Sequence, residues 1–269
     1  MNRKLFKAEA LPLPLLEKIG LASDGRILLI KEDFLALLSG VRTQVVKLHG
    51  ISDGGQTLDE VHAKISLQKT NEGELDVMFH PIYKQSEDVR PQYVSKEEAA
   101  QLQDGTVNVI WKQVNDPIIG KKEVVIEFDQ ETHEFVTTDT KKILVPDLVN
   151  NEELTPAQKE AYRKGKEVEL SDGTVFRYTG TQREGILSNR VAIIASIILD
   201  GGISYLLFEG LKSLSGKLHT YNAENRKFSE GYDNALQELK EQYSKQNLDA
   251  SLDDSIEHLQ RKNKTGLSR

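Results

Sequence analysis

Histidine is the side chain most suited to ligating a metal or moving a proton near neutral pH, and this sequence has six, at His49, His62, His80, His133, His219 and His258. They are scattered. The one local gathering of ligand types is Asp253, Asp254, Glu257 and His258, where a spacing of four puts Asp254 and His258 on one helical face. A closed metal site needs four ligands, so this cluster reads as the solvated, capped start of a helix. His62 and Lys64 alternate with Ala63, Ile65 and Leu67, which on a strand places them together on the wet face, and no acid–base pair can be nominated. Nucleophiles fare no better. Gly202-Ile203-Ser204-Tyr205-Leu206 starts like a strained serine elbow but lacks its second glycine. Glu209-Gly210-Leu211-Lys212-Ser213 ends like a phosphate-cradling loop but lacks the upstream glycine and the adjacent Gly-Lys. No glycine-rich dinucleotide fingerprint is present. The absence of cysteine excludes disulfides, a zinc ribbon, an iron–sulfur cluster and a thiol nucleophile, and favours a reducing, cytoplasmic setting. The expectation is a protein without enzymatic activity, cofactor or metal.

Binding chemistry is better represented. Arg42, Lys47, Arg177 and Arg183 are the residues best placed to contact backbone phosphates, with Lys121, Lys122, Lys141 and Lys142 nearby in sequence and Trp111, Phe176 and Tyr178 as aromatics that could stack bases. A net charge of −7 and a pI near 5.5 argue against a surface that coats nucleic acid as a whole. The second candidate is the apolar run from Val191 to Leu199, resumed after Asp200-Gly201-Gly202 as Ile203 to Phe208. Ile194, Ile197, Ile198, Tyr205, Leu206 and Phe208 would form its docking face. The run reads as a buried helix or a helix–turn–helix that docks a partner protein, with membrane attachment as the alternative. Arg190 and Lys212 flank it as anchors would, but Asp200 near its middle would cost about 2.5–3.5 kcal/mol in a bilayer.

The supporting helices and strands carry clear local signals. Three stretches share one pattern, a short helix closed by glycine and followed by an extended apolar run. Lys31 to Ser39 ends at Gly40 before Val45 to Leu48. Ser95 opens the second, with Glu98 three residues on, and Gly105 precedes Val107 to Trp111. Thr155-Pro156 with Gln158 opens the third, and Gly165 precedes Val168 to Leu170. Ser95/Glu98 and Thr155/Gln158 fit the capping box, and Pro156 sits at the first helical position, where no donor is lost. Alternating segments mark hairpins: His62–Leu67 with Leu75–Phe79, Glu123–Phe128 with Glu134–Thr137, and a short one around Ser171-Asp172-Gly173. The fold class is α+β, with antiparallel hairpins and short interposed helices, then the apolar segment, read as helical, and a helical C-terminal tail. In the tail Phe228, Tyr232, Ala235, Leu239 and Tyr243 form a seam, repeated more briefly by Leu248, Leu252, Ile256 and Leu259. The sequence divides into a flexible start (1–10) without the apolar core of a secretory signal, a first α+β domain (11–150), a smaller unit (151–189), the apolar segment (190–216) and the tail (217–269).

Two stretches carry a family resemblance. Phe34-Leu35-Ala36-Leu37-Leu38-Ser39-Gly40-Val41-Arg42-Thr43, with the strand pair ending Phe79-His80-Pro81, resembles a domain of unknown function common on conjugative elements of Bacteroides-type bacteria. Leu154-Thr155-Pro156-Ala157-Gln158-Lys159-Glu160 with Gly165 resembles a second such domain that often follows the first. Beyond Thr179 the apolar run stands where that second domain would have another strand. These families lie beside, or are fused to, topoisomerase-like proteins, which implies an accessory role in transfer or maintenance of a mobile element. The resemblance maps no catalytic residue onto this chain. The expectation is an interaction protein with a protein partner; direct DNA binding and membrane attachment to a transfer apparatus are the alternatives.

Overall fold

The computed structural model describes residues 6–53, 56–70, 72–84, 90–116, 120–199, 202–209, 214 and 228–245. They form two compact units, each discontinuous in sequence. The first comprises residues up to Leu144 together with 161–167 and 177–187; the second comprises 145–160, 168–176 and the described residues from Ser188 onward.

The first unit begins with a turn of 3-10 helix over Ala8–Ala10, α1 (Leu13–Lys18), the small hairpin β1 (Ala22–Ser23) and β2 (Arg26–Ile27), and α2 (Lys31–Leu38). Gly40 closes α2 at φ 71°, a conformation that costs a side chain but suits glycine. Then follow β3 (Val46–Leu48), β4 (Ile51–Asp53) paired with β5 (Gln56–Leu58), β6 (Val61–Lys69) and β7 (Leu75–Pro81). The sheet order is β3-β6-β7, antiparallel, with Lys64 opposite His80 and Ser66 opposite Met78. One face of β6 and β7 carries Ala63, Ile65, Leu67 and Val77 into a core shared with Leu16, Ile19, Leu21, Leu37 and Leu48.

The same unit continues with α3 (Lys96–Gln103), β8 (Ile110–Asp116), β9 (Gly120–Asp129) and β10 (Glu134–Asp139), ordered β10-β9-β8. The capping box at α3 is complete: Ser95 Oγ accepts the Glu98 N–H at 3.2 Å and Glu98 accepts the Ser95 N–H at 2.8 Å. Val124 and Ile126 pack with Phe135, Ala99 and Leu102. Period-two alternation therefore sends Val125, Glu127 and Asp129 of β9 to the opposite face, where all three are buried.

The second unit contains β11 (Leu148–Val149), β12 (Glu152–Glu153) and the start of α4 (Pro156–Arg163), whose last turn belongs to the first unit. Thr155 and Gln158 cap α4 reciprocally, at 3.2 and 2.9 Å. β13 (Val168–Glu169) pairs with the first residues of β14 (Val175–Tyr178) across the Ser171–Gly173 turn, Gly173 having φ 74°. β15 (Ile186–Ser188), whose first two residues belong to the first unit, leads into β16 (Ala192–Leu199) and β17 (Gly202–Glu209), and α5 (Glu230–Lys245) follows. The sheet order is β12-β11-β16-β17.

The α+β class is as expected, and so is a helix in the tail. The apolar segment is not helical. Val191 to Phe208 forms an antiparallel hairpin whose register runs from Ala192↔Glu209 to Leu199↔Gly202. Both faces of β16 are buried, with Ala192 and Ile194 against Tyr232, Ala235, Leu236 and Leu239 of α5, and Ile193, Ala195 and Ile197 buried on the other side. A strand buried on both faces loses its alternation and reads as a continuous apolar run, here rich in β-branched isoleucine. Among the described residues no helix is long and apolar enough to cross a membrane. Leu248 to Leu259, the Asp253–His258 cluster, His219, the Gly210–Ser213 echo and the Tyr205 and Tyr243 side chains lie outside the described residues.

Candidate functional site

The most concentrated chemistry lies in the first unit, on the face of β9 away from α3. Lys64 is fully buried, a correction to its expected place on a wet strand face. His62, two residues earlier on that face, remains exposed. The difference is what lies opposite. Lys64 Nζ donates to both oxygens of Asp129 at 2.8 and 3.0 Å and to the Thr181 carbonyl at 2.8 Å, and lies 2.8 Å from Glu131 Oε2. An ammonium group has three protons, and here each has an acceptor.

Arg42 enters just past the Gly40 turn. Its Nη1 donates to Glu134 Oε2 at 2.7 Å and lies 3.7 Å from Asp129. Thr43 beside it accepts the Ile65 N–H at 3.0 Å. His80 completes the group, with Nε2 2.9 Å from Ser66 Oγ and Nδ1 3.4 Å from Glu134 Oε2. Two residues back on β9, Glu127 forms a second buried pair with Arg177 at 3.2 Å and accepts the Gly180 N–H at 2.6 Å. The Thr179-Gly180-Thr181 loop thus serves both pairs, offering the Thr181 carbonyl to Lys64 and the Gly180 amide to Glu127.

The electrostatics follow from burial. Burial pushes the Glu127 carboxyl above its ordinary value, more than Arg177 and the Gly180 amide pull it down. Burial also lifts Glu134, but His80 and Arg42 outweigh it and hold that carboxyl below the usual range. His80 is held below its ordinary value, chiefly by burial and further by Arg42, with Glu134 opposing. The tyrosine pair Tyr162 and Tyr178 lies nearby in the same unit at 6.1 Å, and burial raises the Tyr162 phenol.

Ser66, His80 and Glu134 have the residue types of a nucleophile, a base and an orienting carboxylate. The sequence could not show the row, because Ser66 and His80 meet only through the β6–β7 register. Its geometry is that of a packed joint. The Glu134 oxygen facing His80 is already held by Arg42, and the N–H beside Ser66, that of Ile65, is given to Thr43.

The residues expected to bind phosphate are not brought together. Arg42 and Arg177 are buried against Glu134 and Glu127; Arg183 lies 3.1 Å from Glu184 and 3.9 Å from Asp33; half-exposed Lys47 lies 2.5 Å from Glu60. Each cation faces a carboxylate, which competes with a phosphate for the same donors. Trp111 carries Lys164 Nζ 4.7 Å over its ring. Among the described residues, no group of three or more His, Asp and Glu could hold a metal ion.

The expected docking residues are split by the hairpin. Ile194 and Ile197 are buried, Leu206 and Phe208 are half-buried, and Ile198 is 49% exposed. β17 ends the sheet order, so among the described residues its outer edge has no strand partner. The same unit holds a polar node that sequence reading missed. Asn150, at φ 48°, bonds the Ile194 N–H at 3.1 Å, and its Nδ2 is within 3.4 Å of Asp172, Thr174 and Ser229. Ser229 Oγ in turn caps α5 through the Tyr232 N–H at 3.1 Å and donates to Asp172 at 2.5 Å. Burial alone would raise Asp172, but bonds from Ser229, Thr174 and Asn150 hold it below the usual value.

Residues 6–91 match the model of a family described as a protein of unknown function (DUF4099). No curated protein and no solved structure matches the chain. The matched segment contains Arg42, Lys64, Ser66 and His80, whereas Asp129, Glu131 and Glu134 lie beyond it.

Proposed function

We propose that this chain is an accessory protein of a bacterial mobile genetic element, without an enzymatic role of its own, that supports DNA processing or transfer through contacts with protein. The observation that carries the reading is the outer edge of β17. It is an eight-residue strand, Gly202–Glu209, apolar along most of its length and last in its sheet among the described residues. Such an edge presents a row of backbone donors and acceptors beside apolar side chains, the arrangement that accepts an added strand. The occupant we assign is an extended segment of a partner protein with apolar residues at alternate positions. Supporting the protein reading over direct DNA binding, Arg42 and Arg177 are matched by buried carboxylates. The mobile-element setting rests on the resemblance of residues 34–43 and 79–81, which fall inside the matched family segment.

The test uses the full chain. A photo-crosslinking residue at Phe208, which is half-buried, is expected to give a discrete protein adduct in cells, identified by mass spectrometry and abolished by Leu206→Lys, since a charged edge resists strand addition. In parallel, fluorescence anisotropy with labelled single-stranded and duplex DNA is run through a salt series, and the protein is floated with anionic vesicles. No binding in either is expected. Tight DNA binding that falls linearly in log affinity with log salt would replace this reading with the DNA one, and flotation would replace it with the membrane one.

A further inference from the structure

We propose that the joint around His80 is an acid-sensitive latch, holding the β6–β7 hairpin against the β9–β10 turn at neutral pH and loosening when the imidazole takes its second proton. This goes beyond the interaction reading and does not depend on it. His80 is buried, and charged groups face it from every element packed there. From β6 comes Lys64, its cross-strand partner, with the Ser66 hydroxyl 2.9 Å away. From the segment after α2 comes Arg42; from β10, Glu134 at 3.4 Å; and from β9 and the turn after it, Asp129 and Glu131, which hold Lys64.

In the neutral ring one nitrogen accepts from Ser66 while the other turns its proton to Glu134. A second proton removes the acceptor, so the Ser66 hydroxyl must reverse. It also adds a buried cation beside Arg42, competing for the carboxylate oxygen that Arg42 holds at 2.7 Å. With Asp129 and Glu131 engaged by Lys64, Arg42 and the imidazolium draw on the same Glu134 oxygen, and both cations have given up most of their water.

The pH window follows from the direction of the shift. Burial keeps His80 below its ordinary value of 6.5 in the folded chain, so the open form binds the proton more readily. The latch is therefore fully closed well above pH 6.5 and weakens as pH falls through that value. Glu134, held below 4.5, titrates in a separate and lower window.

The experiment is hydrogen exchange with mass spectrometry on the full chain at pH 7.5 and 5.5, corrected for intrinsic exchange. Peptides covering 61–81 and 129–139 are expected to lose protection relative to α5 by up to about tenfold at pH 5.5, the limit set by one pH unit of selective proton uptake. His80→Gln, which cannot take the proton, is expected to show the same relative protection at both pH values. Equal loss in His80→Gln, or none in the parent, overturns the proposal. Should His80→Gln fail to fold, an NMR titration of the parent decides, and a His80 midpoint at or above 6.5 refutes the latch.

Discussion

Replacing Lys64 with methionine removes the ammonium but keeps most of the apolar stem. Asp129 then loses its closest cation while remaining almost fully buried. Breaking a buried pair in this way costs about 3–5 kcal/mol. The lower end applies here, because Asp129 keeps Arg42 at 3.7 Å and the Glu131 N–H at 3.0 Å. A loss of about 3 kcal/mol is a large part of the ~5–15 kcal/mol that holds a domain folded, and corresponds to a fall of roughly 6–12 °C in Tm for a unit of this size. The readout is urea unfolding followed by the fluorescence of Trp111, the sole tryptophan, which lies in β8 of the same unit. The double variant Lys64→Met/Asp129→Leu removes both charges and is expected to return within about 1 kcal/mol of the parent. The coupling between the two sites should then exceed about 2 kcal/mol. A single-variant cost below about 1 kcal/mol, as exposed pairs give, or a double variant equal to the sum of the singles, would refute the reasoning.

Arg177→Met leaves Glu127 buried without its guanidinium and is expected to cost about 3 kcal/mol in urea unfolding, most of it recovered by adding Glu127→Gln. Gly165→Ala forces a side chain into φ 68°, with its Cβ 2.7 Å from Val109 Cγ2, and should cost about 2 kcal/mol in the same assay. Ser229→Ala removes the α5 cap and a bond to Asp172, and is expected to cost about 1–2 kcal/mol, seen as faster amide exchange in α5 with the first unit unchanged.

The family match and the folding unit have different boundaries, and the buried charges explain why this matters. Residues 6–91 contain the cations Arg42 and Lys64, whereas most of the carboxylates that match them come from 129–134. A fragment ending near 91 would leave Lys64 without Asp129, so the matched segment is not the natural unit for expression or mutagenesis.

Features that depend on neighbours within a few residues were readable without the tertiary structure. The capping boxes at Ser95 and Thr155, the glycines at 40, 105 and 165, and the hairpins at 62–79, 123–137 and 168–178 all formed as their local signals require. Two strands began late, at Val46 where Val45 was expected and at Ile110 where Val107 was expected. Tertiary structure decided two larger matters. It made Val191–Phe208 a hairpin, because an isoleucine-rich run carries no period of its own and takes the form its surroundings bury best; here β11 pairs with β16 and α5 covers it. It also made Lys64 a buried charge and His62 a wet one, although both occupy the same face of one strand. Burying an ammonium group is tolerated only beside a carboxylate, and the carboxylate that permits it stands 65 residues further along the chain.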